Sequence, residues 1–177
     1  MKRRLNETTT VEVQRALFNA DGAISVASAK EELQSAKLAA AKIDKFLTLR
    51  CEIDALPPTF TRLKHEVGKG EGVCRGNIYN GKCYKCQEFA PGVMAYSFKA
   101  TICEVGDDDI NMQVMCAEGA GTSMFGMTAQ AFMEQTTDHR ASLVERISNV
   151  PITCGFMLKY DPDTDDAMMC IYDINLA

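Results

Sequence analysis

Gly72–Ala100 reads GVCRGNIYNGKCYKCQEFAPGVMAYSFKA, with Cys74, Cys83 and Cys86 ahead of an aromatic-rich run. Cys83-Tyr84-Lys85-Cys86 is a CxxC, a spacing that lets two thiolates reach one ion from a tight turn. Cys74 is the natural third ligand, because Ile78-Tyr79-Asn80-Gly81 can form the return of a small ribbon between it and the CxxC. A tetrahedral zinc site needs a fourth donor, and the preferred one is His65. HEVGKGEGVC then becomes a first knuckle made flexible by Gly68, Gly70 and Gly72. Cys51 is the rival, although its place in a predicted strand suggests burial. The competing reading is a ribbon without metal, holding inert cysteines and a solvent-facing His65. A redox CxxC has little support, since the stretch opens no predicted helix and no βαβ unit surrounds it. Cys103, Cys116, Cys154 and Cys170 fall in predicted strands and read as core.

Working outward, the pattern before Leu47 is helical. Val11–Phe18 is a short amphipathic piece broken by Ala20, Asp21 and Gly22. Ser28 with Glu31 has capping-box spacing, and Leu33, Leu38, Ala41, Ile43 and Phe46 supply an apolar side for a second helix. That stripe packs on its own domain or on a partner. LTLRCEI from Leu47 reads as a strand ended by Pro57-Pro58, and Phe60–Val67 as a second extended piece. Met94–Val105 alternates in period two, Asp107–Asp109 makes a turn after Gly106, and Ile110–Ala117 returns as a hairpin partner. Thr122–Gln135 and Asp138–Ile147 read as helices, the second capped at Thr137 or Asp138. Ile152–Tyr160 and Met168–Ile174 are two more strands around the turn DPDTDD. The expected fold is mainly β with helices: a five-stranded OB-type barrel carrying a zinc-ribbon-like insertion at about 65–90. A helical segment over 1–46 precedes a barrel domain over 47–177.

The composition limits function. The 177 residues suit one ordinary domain, and no apolar run approaches the roughly 18 residues of a membrane span. MKRRLNETTT has the basic start of a signal peptide without its apolar stretch, so the compartment is cytosol or nucleus. There the eight cysteines are better read as metal ligands and small hydrophobes than as disulfides. Net charge is −5, and from Thr101 onward only Arg140, Arg146 and Lys159 face thirteen acidic residues. Phosphate binding therefore belongs to the first two-thirds of the chain. Enzyme motifs are lacking. His65-Glu66 is not the HxE of zinc deaminases, no Pro precedes Cys83, and GKGEGVC lacks the Lys-Ser/Thr ending of a phosphate loop.

Over roughly Leu47–Leu176 this order of features resembles the C-terminal DNA-binding domain of the replication protein A large subunit. That family carries a four-cysteine zinc ribbon inside an OB-fold. Its second knuckle, LYRCxxC, is similar to KCYKC around Cys83 and Cys86, and its aromatic-x-aromatic-basic strand is similar to Tyr96-Ser97-Phe98-Lys99. A Glu-Ser-Ala segment and an apolar-apolar-Gly stop correspond to Glu118-Gly119-Ala120 and Met124-Phe125-Gly126. The resemblance implies a nuclear single-stranded DNA-binding protein with structural zinc, partnered by other OB-fold subunits, for which the helices before Leu47 offer a surface outside the resemblance. Expected contacts are Lys82, Tyr84, Lys85, Tyr96, Phe98 and Lys99, with Tyr96 and Phe98 equally readable as barrel core. The chain departs from the pattern in its single first-knuckle cysteine. Met112 and Cys116 stand where the family has a stacking Trp and Phe, and Asn175-Leu176-Ala177 offers no assembly helix. The alternative is an interaction module that keeps the zinc and has lost most DNA affinity.

Overall fold

The computed structural model describes residues 22–65, 74, 76–89 and 91–175. The amphipathic pattern at Val11–Phe18, Lys2–Arg4 and the Gly68–Gly72 loop lie outside them. Helix α1 spans Val26–Ala39. Its Ala, Glu, Lys and Leu residues favour a helix. Ser25 is its N-cap, accepting from the Ser28 backbone N–H at 3.1 Å. The capping hydroxyl therefore lies three residues before the expected one. Ala40 ends the helix in a left-handed conformation, φ 47°. Ile43 and Phe46, expected on the helical stripe, instead open the first strand. The buried side of α1, Val26, Ala29 and Ala36, packs on the chain's own barrel.

The barrel is closed, in the order β1-β6-β7-β9-β8 and back to β1. Its strands are β1 (Ile43–Ala55), β6 (Phe98–Glu104), β7 (Asp107–Cys116), β8 (Pro151–Asp161) and β9 (Asp166–Asn175). All neighbours are antiparallel except β7 and β9. This is the five-stranded Greek-key barrel of an OB-fold. Period-two alternation turns Leu49, Cys51, Ile53, Ala100, Ile102, Val114, Ile152, Cys154 and Leu158 inward, each at most 2 % exposed. The Asp107–Asp109 run starts β7 rather than forming the turn, which falls at Val105-Gly106, where Gly106 has φ 79°.

Three short helices join β7 to β8: α2 (Glu118–Phe125), α3 (Ala129–Met133) and α4 (Thr137–Glu145). The single helix expected over Thr122–Gln135 is two. Gly126 stops the first at φ 68°, and Thr128 caps the second. The cap of α4 is Thr136, whose side chain accepts from the His139 N–H. These helices cover one end of the barrel with Phe125 and Phe132, whose ring centroids stand 4.5 Å apart and 5.3–5.9 Å from those of Phe60 and Tyr96, while Phe98 packs on Phe60 at 5.2 Å. Edge-to-face pairs of this kind contribute about 0.5–1.5 kcal/mol each beyond burial.

A candidate metal centre and nucleic-acid surface

The insertion leaves the barrel between β1 and β6 on a two-stranded stalk. Strand β2 (Thr61–His65) pairs with β5 (Gly92–Tyr96), so the Met94–Val105 strand expected from the sequence is two strands broken at Ser97. At its tip β3 (Ile78–Tyr79) turns back into β4 (Lys82–Cys83). Asn80 and Gly81 make that turn with φ 51° and 75°, the double left-handed geometry of an Asn-Gly hairpin. After Cys83 the chain tightens again. The Gln87 N–H donates to Cys83 O, and the Cys83 N–H donates to Glu88 O, both at 2.9 Å.

These turns gather His65, Cys74, Cys83 and Cys86, whose donor atoms all lie within 4.8 Å of one another. Cys74 Sγ and Cys83 Sγ are 3.6 Å apart, and His65 Nδ1 is 3.1 Å from Cys86 Sγ. Two thiolates bound to one tetrahedral zinc at ~2.3 Å stand roughly 3.8 Å apart, so the spacing suits such an ion. The donor chemistry fits as well, with three soft sulfurs and one imidazole. His65 is 1 % exposed, and its Nε2 has no hydrogen-bond partner among the described residues. Its backbone N–H holds the two knuckles together by donating to Gly76 O at 2.8 Å. Gly76 is required by space, because a Cβ there would lie 2.6 Å from Cys83 Sγ. The Cys86 backbone N–H pulls the Cys83 thiol from its usual 9.0 down to about 6, helped by Lys85 N–H and the Cys74 and Cys86 thiols and opposed by burial. That favours the thiolate form a metal needs. Cys51, the rival fourth ligand, is fully buried on the barrel side of β1. Burial likewise pushes Cys103 up to about 11 and Cys116 up to about 12, the thiol form expected of core residues.

The expected nucleic-acid residues separate into three places. Lys82, Tyr84 and Lys85 are exposed on the ribbon tip, Tyr84 by 77 %. Lys99 is exposed on β6. Tyr96 and Phe98, however, are each 2 % exposed, which corrects their expected role in stacking. Their rings belong to the aromatic cluster. The Tyr96 hydroxyl donates toward Met127 O and Thr128 O, and a Cβ on Gly121 would meet the Tyr96 ring at 2.2 Å. Met112 and Cys116 also face inward, at 7 % and 0 %. The outward positions of β7 nearest the barrel mouth are instead Gln113 and Met115, and among the described residues no aromatic side chain of β6 or β7 is exposed.

Two tip residues escaped the sequence reading, Tyr79 (55 % exposed) and Phe89 (79 %). Lys82 Nζ stands 6.0 Å from the Phe89 ring centroid. Tyr84 and Lys85 rim a shallow pocket of about 670 Å³ with Lys64, Asn77 and Gln87. A readable signal existed for Tyr79. If Cys83 points at a metal, its cross-strand partner Ile78 points the same way, and period two turns Tyr79 and Lys82 outward.

A closed barrel of this order defines an OB-fold, and this one carries a zinc-ribbon-like insertion between its first two strands. Two solved structures have the same fold. One is of a replication protein A heterotrimer bound to ssDNA, with TM-score 0.60 and 16 % identity over 87 % of this chain and 36 % of that one. The other is of yeast RPA bound to ssDNA, with TM-score 0.58, 13 % identity and 86 % of both chains covered. The present chain thus spans about a third of the first chain's length. No protein-family profile and no curated protein matches the sequence. Among the described residues no helix is long and apolar enough to cross a membrane.

Proposed function

We propose that this chain is a single-stranded DNA-binding OB-fold subunit of the replication protein A type. It would act in the nucleus, in DNA replication, repair, recombination or telomere maintenance, alongside other OB-fold subunits and without catalysis of its own. The observation that carries this reading is the ribbon tip, where exposed Tyr79, Tyr84 and Phe89 interleave with Lys82 and Lys85. Aromatic faces stack on unpaired bases while ammonium groups follow the phosphates, a combination that tolerates any sequence. A zinc ion held by His65, Cys74, Cys83 and Cys86 would be structural. It would neutralise the thiolates and fix the two knuckles that present the tip. Lys99 adds a further phosphate contact on the barrel. The test is elemental analysis with anisotropy of a labelled oligothymidylate at several salt concentrations. One zinc per chain is expected, and three lysine contacts give a slope of log affinity against log salt of about −2. Affinity that ignores salt would count against this mode.

A second reading is favoured by the barrel itself, whose strands β6 and β7 expose no aromatic among the described residues. Under it the chain is an interaction module that keeps the zinc and binds protein subunits. One zinc per chain with no oligonucleotide binding would select it.

A further inference from the structure

The barrel parts at two places. From Ile43 to Cys51, β1 runs beyond the end of β6 and ladders only with β8. The chain covers that free edge itself. Ile24 bridges to Leu49, donating its N–H to Thr48 O at 2.9 Å and accepting from the Arg50 N–H at 3.0 Å. Helix α1 then follows with Val26 and Ala29 buried.

The second parting is between β7 and β9, which are joined only at Met115–Cys170 and Cys116–Ile171. Toward their N-terminal ends, Asp107–Val114 ladders only with β6, and Asp166–Met169 only with β8. Lys30 Nζ donates to Asn111 O at 2.9 Å and covers the far end of β7. Nearer the junction, Gln113, Val114 and Met115 share with Ala167, Met168 and Met169 a cavity of about 850 Å³.

We infer that this cleft receives an extended segment of a partner protein, which pairs with the free edge of β7 and packs on the methionines of β9. An unpaired strand edge is a template for another strand, and peptides that use one gain main-chain hydrogen bonds along it. Methionine walls adapt to varied apolar side chains. The charges speak for a polypeptide over a polyphosphate. Lys42 pairs with Asp161 at 3.7 Å and Lys159 with Asp44 at 3.3 Å, so two of the three lysines at the cleft are already neutralised. Lys99 and Asp166 are left without an ion-pair partner there among the described residues, so the cleft carries no net charge for a polyphosphate, and Lys99 stands opposite Met115 in the β6–β7 ladder. The segment that fits alternates apolar with polar residues and carries one acidic side chain for Lys99 and one basic side chain for Asp166. No ribbon residue lines the cleft, and Lys99 is the one residue that this inference shares with the DNA-binding reading.

The test selects random dodecapeptides displayed on phage against the full chain, with a Met168→Glu variant as counter-target. Met168 is 51 % exposed, so the substitution leaves the core intact. Enriched peptides are expected to alternate apolar and polar residues and to slow hydrogen exchange at β7 amides. Met168→Glu should weaken them about tenfold or more, since a carboxylate would have to be buried in an apolar seat. Three results would overturn the inference: no enrichment over the variant, peptides indifferent to both Met168→Glu and Lys99→Glu, or oligothymidylate that competes with the peptides and itself loses affinity in Met168→Glu. Oligothymidylate that fails to bind at all sinks the ribbon reading while leaving the peptide result untouched.

Discussion

The ribbon tip and the barrel cleft differ in nearly every property that selects a ligand. The tip carries exposed rings around a shallow pocket, and its two lysines have no ion-pair partner among the described residues. The cleft is concave, lined by Met115, Met168 and Met169, and two of its lysines are paired with aspartates. An OB-fold usually offers its ligand the face of its second and third strands and the loops beside them. In this chain the exposed rings lie on the insertion, and β6 and β7 expose no aromatic side chain among the described residues. One scaffold can thus carry two recognition chemistries, provided that each surface keeps its own charge balance.

The strongest way to break this contrast is to take the metal away. Cys83→Ser is expected to lower zinc from one ion per chain to none by elemental analysis. Small zinc modules draw about 10–16 kcal/mol of apparent folding free energy from their ion, so the ribbon amides should lose protection from exchange and oligothymidylate binding should disappear. The far-UV signature of the barrel should survive. A barrel that melts with the ribbon would show the two regions to be one cooperative unit.

Gly76→Ala is a milder version. Its methyl would press on Cys83 Sγ at 2.6 Å, and zinc affinity measured by competition with a chelator should fall roughly 10–100-fold, as it does when a metal's supporting shell is disturbed. Tyr84→Ala leaves the metal in place and should weaken oligothymidylate by about 1–3 kcal/mol if one base stacks there. Lys82→Ala should flatten the salt slope by about 0.7. The smallest effect on DNA belongs to Tyr96→Phe. It removes a hydroxyl shared by two carbonyls, costs about 1 kcal/mol in a denaturant melt, and should leave oligonucleotide affinity unchanged. Affinity lost there would return Tyr96 to the binding surface.

The gathering of His65, Cys74, Cys83 and Cys86 was legible because metal chemistry would constrain residue type and spacing together. CxxC, an upstream Cys and the imidazole beyond a glycine-rich loop leave few other arrangements. Strand order along the chain was legible for a similar reason, since period-two runs and turn residues are local signals. Tyr96 and Phe98 were ambiguous because alternation says that two rings share a face but not which face is inside. Tyr96 is covered by Phe125, Phe132 and Gly121, which arrive from a helix pair roughly two to three dozen residues later, and Phe98 packs on Phe60. The β7–β9 parting had no local signal at all. It follows from a parallel contact between Cys116 and Ile171, strands with three helices and β8 between them.

The pairing of β1 with β8 also orders events in time. Leu49 opposes Cys154, and the ladder continues to Ile43 against Tyr160, so β1 cannot meet its longest partner until the chain has been made out to β8. Long-range closures of this kind are the slow part of β-protein folding. The four residues of the candidate metal centre, by contrast, all lie between His65 and Cys86. A chain growing from its N-terminus therefore completes this candidate set about 65 residues before β8 begins at Pro151, and an ion bound there would arrive while the barrel is still open.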